Sequence, residues 1–343
     1  MTLATWDESS WIDSPRLASC AVVPVDARLG EAGPESRISD WLPDRVGMTN
    51  EIATRRDRAV CMEVVNALSI DLEEWYHSEL MQGRRSSLSQ AGEAVQSILD
   101  LLDQYQTKAT FFVVGELAEQ NPDLIRSIYQ KGHEIGCHTF SHTLVWSLGE
   151  ALFRKELERF HDVIEEILGK IRMKGFRAPC FSIDNRNRWA LNVLSDLGYQ
   201  YDASIFPLKI NPLYGVSGAP TRPYRISFKD VREEDPHSPL LEYPLCPLTI
   251  GNLKIPISGG FYLRALPISF LGWGLKRINR SQPFMVYFHP WEGYPNTPRF
   301  ALPLYSRIIT YSGLSSALKK FEFLLENFKF SRIDQILGLG EKP

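Results

Sequence analysis

The sequence lacks any apolar run that approaches the ~20 residues that a membrane-spanning helix requires. It also lacks the pattern of a signal peptide. The opening segment, MTLATWDESSWIDSPRLASC, carries acids where a basic start and an apolar stretch would be expected. From these two absences we predict a cytoplasmic protein without a membrane span.

Cysteine is scarce, and no two cysteines form a CxxC pair. An odd, dispersed set in a chain this long is not a disulfide framework and is typical of a reducing compartment. Neither positive nor negative charge is in large excess: the net charge is −3, and Lys and Arg are scattered along the sequence rather than clustered. We therefore predict no nucleic-acid partner, because a phosphate backbone requires a basic patch.

The 343 residues divide into an irregular beginning and a regular remainder. Residues 1–60 are rich in Pro, Gly, Asp, Arg and Ser without periodicity, which predicts a disordered leader. Its three tryptophans (Trp6, Trp11 and Trp41) are unusual for such a segment and favour docking on the domain or on a partner.

Beyond the leader, short apolar strands alternate with amphipathic helices, which predicts parallel strands with helices outside, as a barrel or an open sheet. The predicted strands cover residues 66–72, 109–115, 132–136, 175–179, 199–204 and 283–288. The predicted helices cover residues 89–105, 121–130, 148–168, 185–197, 267–277 and 314–327. Residues 207–260 are rich in Pro and Gly and predict an irregular insertion over a site.

Two carboxylates lie at the end of the first predicted strand, in SIDLEEW. Because side chains alternate faces along a strand, Asp71 and Glu73 share the face opposite to Leu72. The C-terminal ends of parallel strands are where barrel enzymes keep their sites. The alternative is an acidic turn in which the carboxylates cap the next helix.

Three more strand ends carry residues that suit a metal hydrolase. His138 and His142, in HTFSH, have the spacing that brings two imidazoles to one face of a helical turn. Arg177, in RAPCF, can hold a carboxylate by a two-pronged hydrogen bond. His289 follows a buried strand. Each has an ordinary structural alternative, but their convergence on successive strand ends predicts one site.

These groups match the steps of amide hydrolysis. Glu73, His138 and His142 would leave one position open on a zinc-like ion, which is the mark of a catalytic metal. Asp71 would act as the base toward water, and His289 would protonate the departing amine.

SIDLEEW, HTFSH, RAPCF and the strand ending at His289 resemble the first, second, third and fifth motifs of the polysaccharide deacetylase family, whose domain is named after the NodB chitooligosaccharide deacetylase. The resemblance covers residues 63–300 and implies a distorted (β/α)7 barrel, a divalent metal (usually zinc) and N-acetylated sugar substrates. DLEEWYH, YDASIFP, GGFYLRALP and HPWEGYPNTPRF are similar to a subgroup associated with exosortase/PEP-CTERM exopolysaccharide loci. That subgroup has a C-terminal extension, here residues 240–335, packed on the barrel.

The first motif departs from the family's pattern, which usually has two adjacent Asp residues. Here Leu72 follows Asp71, and the second acid is Glu73. Strand alternation makes Glu73 the natural metal ligand, and Glu74 is the fallback.

The oxyanion and substrate side also differs. Cys180 stands where an aromatic residue usually follows the proline of the third motif, Pro179, although a backbone N–H near Cys180 could still stabilise the oxyanion. The fourth motif is unclear, and Asp202 in YDAS is the candidate that orients His289. Trp291 is expected near the mouth of the site, where sugar rings stack on aromatic faces.

Together these features predict a metal-dependent N-deacetylase that hydrolyses acetamido groups of amino sugars in a polysaccharide or glycolipid precursor. One alternative is an amidohydrolase of the same fold that acts on a small cyclic amide or ureide. Another is a non-catalytic carbohydrate-binding relative; such a relative usually loses a ligand or the base, and here all these groups are present.

Overall fold

Strands and helices alternate along the chain in a computed structural model that describes residues 64–81, 89–209 and 215–340. The predicted leader, residues 1–60, lies outside the described residues. The strands are β1 (Val65–Leu72), β2 (Thr110–Val113), β3 (Glu134–Cys137), β4 (Gly175–Phe176), β5 (Tyr201–Asp202), β6 (Tyr224–Arg225), β7 (Leu241–Glu242), β8 (Leu248–Ile250), β9 (Leu253–Ile255), β10 (Met285–Phe288) and β11 (Lys329–Ser331). The helices are α1 (Ala91–Gln104), α2 (Gly115–Gln120), α3 (Pro122–Gln130), α4 (Val145–Leu168), α5 (Trp189–Asp196), α6 (Gly260–Ala265), α7 (Ile268–Ile278), α8 (Pro290–Gly293), α9 (Leu304–Tyr311), α10 (Ala317–Asn327) and α11 (Ile333–Ile336).

Seven parallel strands form one sheet in the order β10-β1-β2-β3-β4-β5-β7, with β6 antiparallel at its outer edge and β11 beside the start of β1. Four strands, β1 to β4, separate β10 from β5 in this order, yet Met285 of β10 and Tyr201 of β5 belong to one buried cluster. The sheet must therefore curl to bring these two strands together. No ladder joins β10 to β7 within the described residues. The predicted distorted (β/α)7 barrel is therefore confirmed, with incomplete closure.

Alternation along β1 decides which side chains enter the barrel. Leu68, Ile70 and Leu72 point outward into the large cluster shared with the helices. Ala67 on the opposite face joins the interior cluster, and Asp71 follows on that same face. The strand thus carries apolar residues toward the helices and its carboxylate toward the barrel interior.

The N-terminal end of the barrel is closed by α11. The backbone N–H of Ile333 donates to Thr110 Oγ1 over 2.9 Å, and that of Asp334 donates to Glu134 Oε2 over 3.3 Å. Lys174 Nζ lies 3.0 Å from Asp334 Oδ2. Thr110 and Glu134 are the first residues of β2 and β3, so α11 covers the N-terminal end of these strands. The opposite end of the barrel is left for the site.

Several elements differ from the sequence prediction. Helix α4 begins at Val145 rather than at residue 148, and its first turn is broken at Gly149, whose φ is +70°. The irregular insertion of residues 207–260 contains the short strands β6 to β9. The sequence did not predict β11, α2, α6, α8, α9 or α11. Elements this short carry too few residues for a periodic signal.

The described residues contain three free thiols, those of Cys137, Cys180 and Cys246. Among the same residues, no helix combines the length and the apolar composition needed to cross a bilayer.

Gly175 provides a test of the packing inside the barrel. It lies opposite Tyr201 in the β4–β5 ladder, and a Cβ at Gly175 would lie 2.2 Å from the buried ring of Tyr201. We expect Gly175→Ala to lower the free energy of unfolding by about 1–3 kcal/mol through overpacking. Gly92→Ala in α1, where a Cβ meets nothing within 4 Å, should raise it by about 0.4–1 kcal/mol. Urea unfolding of both variants measures the difference, and shifts of the same sign would contradict this packing.

Candidate active site

The C-terminal end of β1 carries two buried carboxylates into the open end of the barrel. Asp71 and Glu73 are 3% and 4% exposed. His289, which follows β10, places its Nε2 3.9 Å from Asp71 Oδ2 and 3.8 Å from Glu73 Oε1. The residues at positions 71, 73 and 289 therefore meet in one pocket.

A possible cation site lies beside these carboxylates. One ligand atom each from Glu73, His138 and His142 lies within 4.8 Å of the other two, and all three residues are buried. His142 Nε2 is 2.6 Å from Glu73 Oε2. One carboxylate and two imidazoles are a donor set that a divalent ion such as zinc accepts, so the residues fit the metal that the motifs implied.

The backbone that presents the two histidines was predicted wrongly. Residues 138–142 form a loop rather than a helical turn, and His142 has a left-handed φ of +56°. Glu156 of α4 holds this loop, because its Oε2 accepts hydrogen bonds from the backbone N–H groups of Phe140 (3.0 Å) and Ser141 (2.7 Å). The imidazoles converge through this contact and not through helical spacing.

His138 is oriented for a cation by its second nitrogen. Its Nδ1 lies 2.7 Å from the carbonyl oxygen of Arg177 and can donate to it, which leaves the Nε2 lone pair for a metal. Burial lowers the pKa of His138 to about 4, so the ring is neutral, as a ligand must be. Burial alone would raise the pKa of Glu73, but the imidazoles of His142 and His289 outweigh it and lower that pKa below its usual range.

Arg177 is fully buried and holds Asp71. Its Nη1 donates to Asp71 Oδ1 over 2.5 Å and to Ser69 Oγ over 2.8 Å, and its Nε donates to the Ala203 carbonyl over 3.1 Å. The remaining Nη2 faces Met285 Sδ at 3.0 Å. Arg177 therefore donates one hydrogen bond to Asp71 rather than the two that we expected from the sequence.

Glu74, the fallback ligand, has a different role. Its Oε1 accepts hydrogen bonds from Ser89 Oγ (2.5 Å) and from the backbone N–H groups of Gln90 (2.9 Å) and Ala91 (3.0 Å). Glu74 thus caps the start of α1. The helix-capping alternative applies to this acid, while Asp71 and Glu73 face the pocket.

The turn after β4 is supported by Asp202. The backbone N–H of Ala178 donates to Ser204 Oγ over 2.8 Å, and Ser204 in turn donates to Asp202 Oδ1. Within the turn, which spans Pro179–Phe181, Cys180 has a left-handed φ of +51°. Burial raises the pKa of Asp202 to about 6. Asp202 therefore holds the turn in which the oxyanion donor was predicted.

The acid beside His289 is Glu292, so the expectation that Asp202 orients this histidine is wrong. Glu292 Oε2 lies 3.1 Å from His289 Nδ1, and Glu292 Oε1 accepts from Arg264 Nε over 2.7 Å. The spacing of three residues between His289 and Glu292 is that of a capping box and could have been recognised. Arg264 lies 28 residues before Glu292 and has no local signal.

Trp291 supports the site from within. Its indole Nε1–H donates to Glu73 Oε1 over 3.1 Å, and its ring stacks on His289 at a centroid distance of 5.7 Å. Trp291 is 6% exposed and Trp75 is 4% exposed. These two tryptophans are packed in the protein rather than open to a sugar ring, which for Trp291 differs from its expected place at the mouth.

Two family models match adjacent parts of the chain. Residues 89–201 match the family described as polysaccharide deacetylase, and residues 203–338 match the one described as a domain of unknown function (DUF3473). His138, His142 and Arg177 lie in the first range and His289 lies in the second.

Curated relatives and a solved structure extend this likeness. The chain is 35% identical over 99 residues to a peptidoglycan-N-acetylglucosamine deacetylase of Bacillus cereus, which is 29% of this chain and 36% of that protein. It is 30% identical over 82 residues to a chitooligosaccharide deacetylase of Sinorhizobium fredii, 24% of this chain and 38% of that protein. The match thus spans little more than a third of either relative. A probable polysaccharide deacetylase from Pseudomonas aeruginosa PAO1 has a similar fold, with a TM-score of 0.50, 16% identity, and coverage of 80% of this chain and 90% of that chain.

Loss of one donor should weaken cation binding. We expect His138→Ala to reduce zinc affinity by at least about 100-fold, because changing even an outer-shell partner of a metal ligand costs about 10–100-fold. His237→Ala removes an exposed histidine far along the chain and is the matched control. Calorimetric titration of metal-free protein with zinc measures both, and equal affinities would contradict the assignment.

Proposed function

We propose that this chain is a metal-dependent N-deacetylase that hydrolyses acetamido groups of amino sugars in a polysaccharide or glycolipid precursor. The premise is the match of residues 89–201 to the family described as polysaccharide deacetylase. The observation that carries the proposal is the meeting of a three-donor cation site with the Asp71 carboxylate and the His289 imidazole at one end of the barrel. The names of the Bacillus cereus and Sinorhizobium fredii relatives support an N-acetylated sugar as substrate.

Glu73, His138 and His142 would hold the metal, for which we propose zinc. A divalent ion bound there supplies Lewis acidity, which polarises the acetyl carbonyl and makes water more acidic. Trp291 and the Arg177 carbonyl fix Glu73 and His138 from behind, so the donors keep their directions.

Asp71 is the proposed base. Its Oδ1 is engaged by Arg177, and its Oδ2 faces the pocket 3.9 Å from His289 Nε2. A carboxylate held in this way can accept the proton of water as the oxygen attacks the acetyl carbon. The turn at Pro179–Phe181, next to Arg177 in the chain, supports our proposal that a backbone N–H near Cys180 stabilises the oxyanion.

His289 is the proposed acid. Burial alone would lower its pKa, but the carboxylates of Glu292, Glu73 and Asp71 raise the pKa of His289 to about 9. The imidazole therefore carries a proton at neutral pH. It can give this proton to the amine nitrogen, which cannot leave as an anion.

Acetate release tests the function directly. We expect the wild-type protein to release acetate from N-acetylglucosamine oligomers or peptidoglycan, to lose this activity with a chelator and to regain it with zinc. Asp71→Asn should retain zinc but lower kcat by about 10²–10⁴-fold, because the base is lost while the three donors remain. Asp196→Asn, at a surface pair with Arg154, is the matched control. Near-normal turnover by Asp71→Asn would contradict the role of the base, and turnover of allantoin alone would indicate a cyclic-ureide hydrolase.

The rate should also depend on the protonation of His289. Because the raised pKa keeps the acid protonated up to about pH 9, we expect kcat to stay high below that pH and to fall as pH rises through it. His289→Asn should lower kcat by about 100-fold and remove this falling limb, with zinc content unchanged. Rate profiles from pH 6 to about 10.5 measure the effect. If kcat of His289→Asn still fell above about pH 9, the fall would be due to the titration of a group other than His289.

A further inference from the structure

We propose that Glu292, locked in place by Arg264, is the positioning residue that fixes the His289 ring for proton transfer. This inference rests on the proposed function and deepens it. It gives the region of residues 203–338, which matches a domain of unknown function, a defined part in the chemistry.

Glu292 lies against both the main chain and the ring of His289. Its Oε2 accepts the backbone N–H of His289 over 3.1 Å and lies 3.1 Å from His289 Nδ1. With Nδ1 turned toward Glu292, Nε2 is directed into the pocket between Asp71 and Glu73. The ring of Trp291 stacks on the imidazole and restricts its tilt. A carboxylate on the rear nitrogen of an imidazole selects its tautomer and its direction.

Arg264 makes Glu292 rigid. The Arg264 side chain is 2% exposed, and its Nε donates to Glu292 Oε1 over 2.7 Å. Its other nitrogens donate to the carbonyls of Ile309 (2.9 Å), Thr310 (3.2 Å) and Ser312 at the end of α9. These carbonyls form the negative end of that helix and stabilise a buried cation.

The alternative is that the Arg264–Glu292 pair only joins α6, α8 and α9. If the pair only joined these helices, the second carboxylate oxygen of Glu292, Oε2, would need no particular partner. Here that oxygen lies against His289, the residue whose Nε2 faces the reacting groups. The pair also lies wholly out of solvent, where a charge is retained only if it is fully partnered.

The chemistry separates the two interpretations. When an N-acetyl group is hydrolysed, the C–N bonding electrons leave with nitrogen, and the proton from His289 Nε2 makes a neutral amine while the acyl carbon becomes acetate. An aryl acetate releases a phenolate, which needs no proton to leave. Poor positioning of His289 should therefore slow amide cleavage and spare aryl ester cleavage, whereas general damage to the site should slow both.

The test compares Glu292→Gln with wild type on an N-acetylglucosamine oligomer and on 4-nitrophenyl acetate, with the zinc-loaded protein. We expect kcat for the amide to fall by about 10–100-fold, with KM and zinc content unchanged and ester hydrolysis little changed. Glu234→Gln, which breaks the surface pair with Arg222 in the same region, is the matched control and should behave as wild type.

Two further variants keep the test decisive if Glu292→Gln folds poorly. Arg264→Lys retains the charge but loses the planar fork, and it should show the same selective loss of amide cleavage. In a His289→Ala background, Glu292→Gln should cause no additional loss, because both changes act on one step. Equal losses on amide and ester, or additive losses with His289→Ala, would overturn the proposal. If wild type released no acetate from any glycan, the proposed function itself would fail, independently of these ratios.

Discussion

The buried guanidinium of Arg177 is the contact on which the arrangement of the site depends. Its side chain donates to Asp71 and Ser69 of β1 and to the Ala203 carbonyl beyond β5, while its own carbonyl accepts from His138. One residue thus sets the proposed base and a proposed metal donor relative to each other across the barrel. Removing one partner from a fully buried ion pair costs about 3–5 kcal/mol, so this junction resists distortion.

How much of the site could be predicted from the sequence depends on whether the residues that make each contact lie close together or far apart in the chain. Strand alternation is a local property of the backbone, and the faces of β1 followed from it correctly. The spacing of His138 and His142 predicted neighbours but the wrong backbone, because Glu156 farther along the chain holds their loop. The pair Arg264–Glu292 joins two short elements without periodic patterns, so no local signal predicted it.

The site is divided between segments that the family models describe separately. Glu73 precedes both matched ranges, His138 and Arg177 lie within residues 89–201, and His289 lies within residues 203–338. The second range also contributes β7 and β10, two of the seven parallel strands. Neither range alone contains the complete barrel or the complete pocket. The C-terminal region is therefore an integral part of the barrel and of the candidate site.

The pairing of β1 with both β10 and β11 sets an order on biosynthesis. β1 is the earliest described strand to leave the ribosome, yet two of its three neighbours lie more than 200 residues later in the chain. Until those strands have emerged, the backbone N–H and C=O groups along one edge of β1 have no strand to pair with. The pocket and the floor of the barrel can be completed only after translation has passed residue 336. A strand edge that waits this long for its partners is a site at which another chain could pair, so the order of synthesis favours aggregation until β10 and β11 have been made.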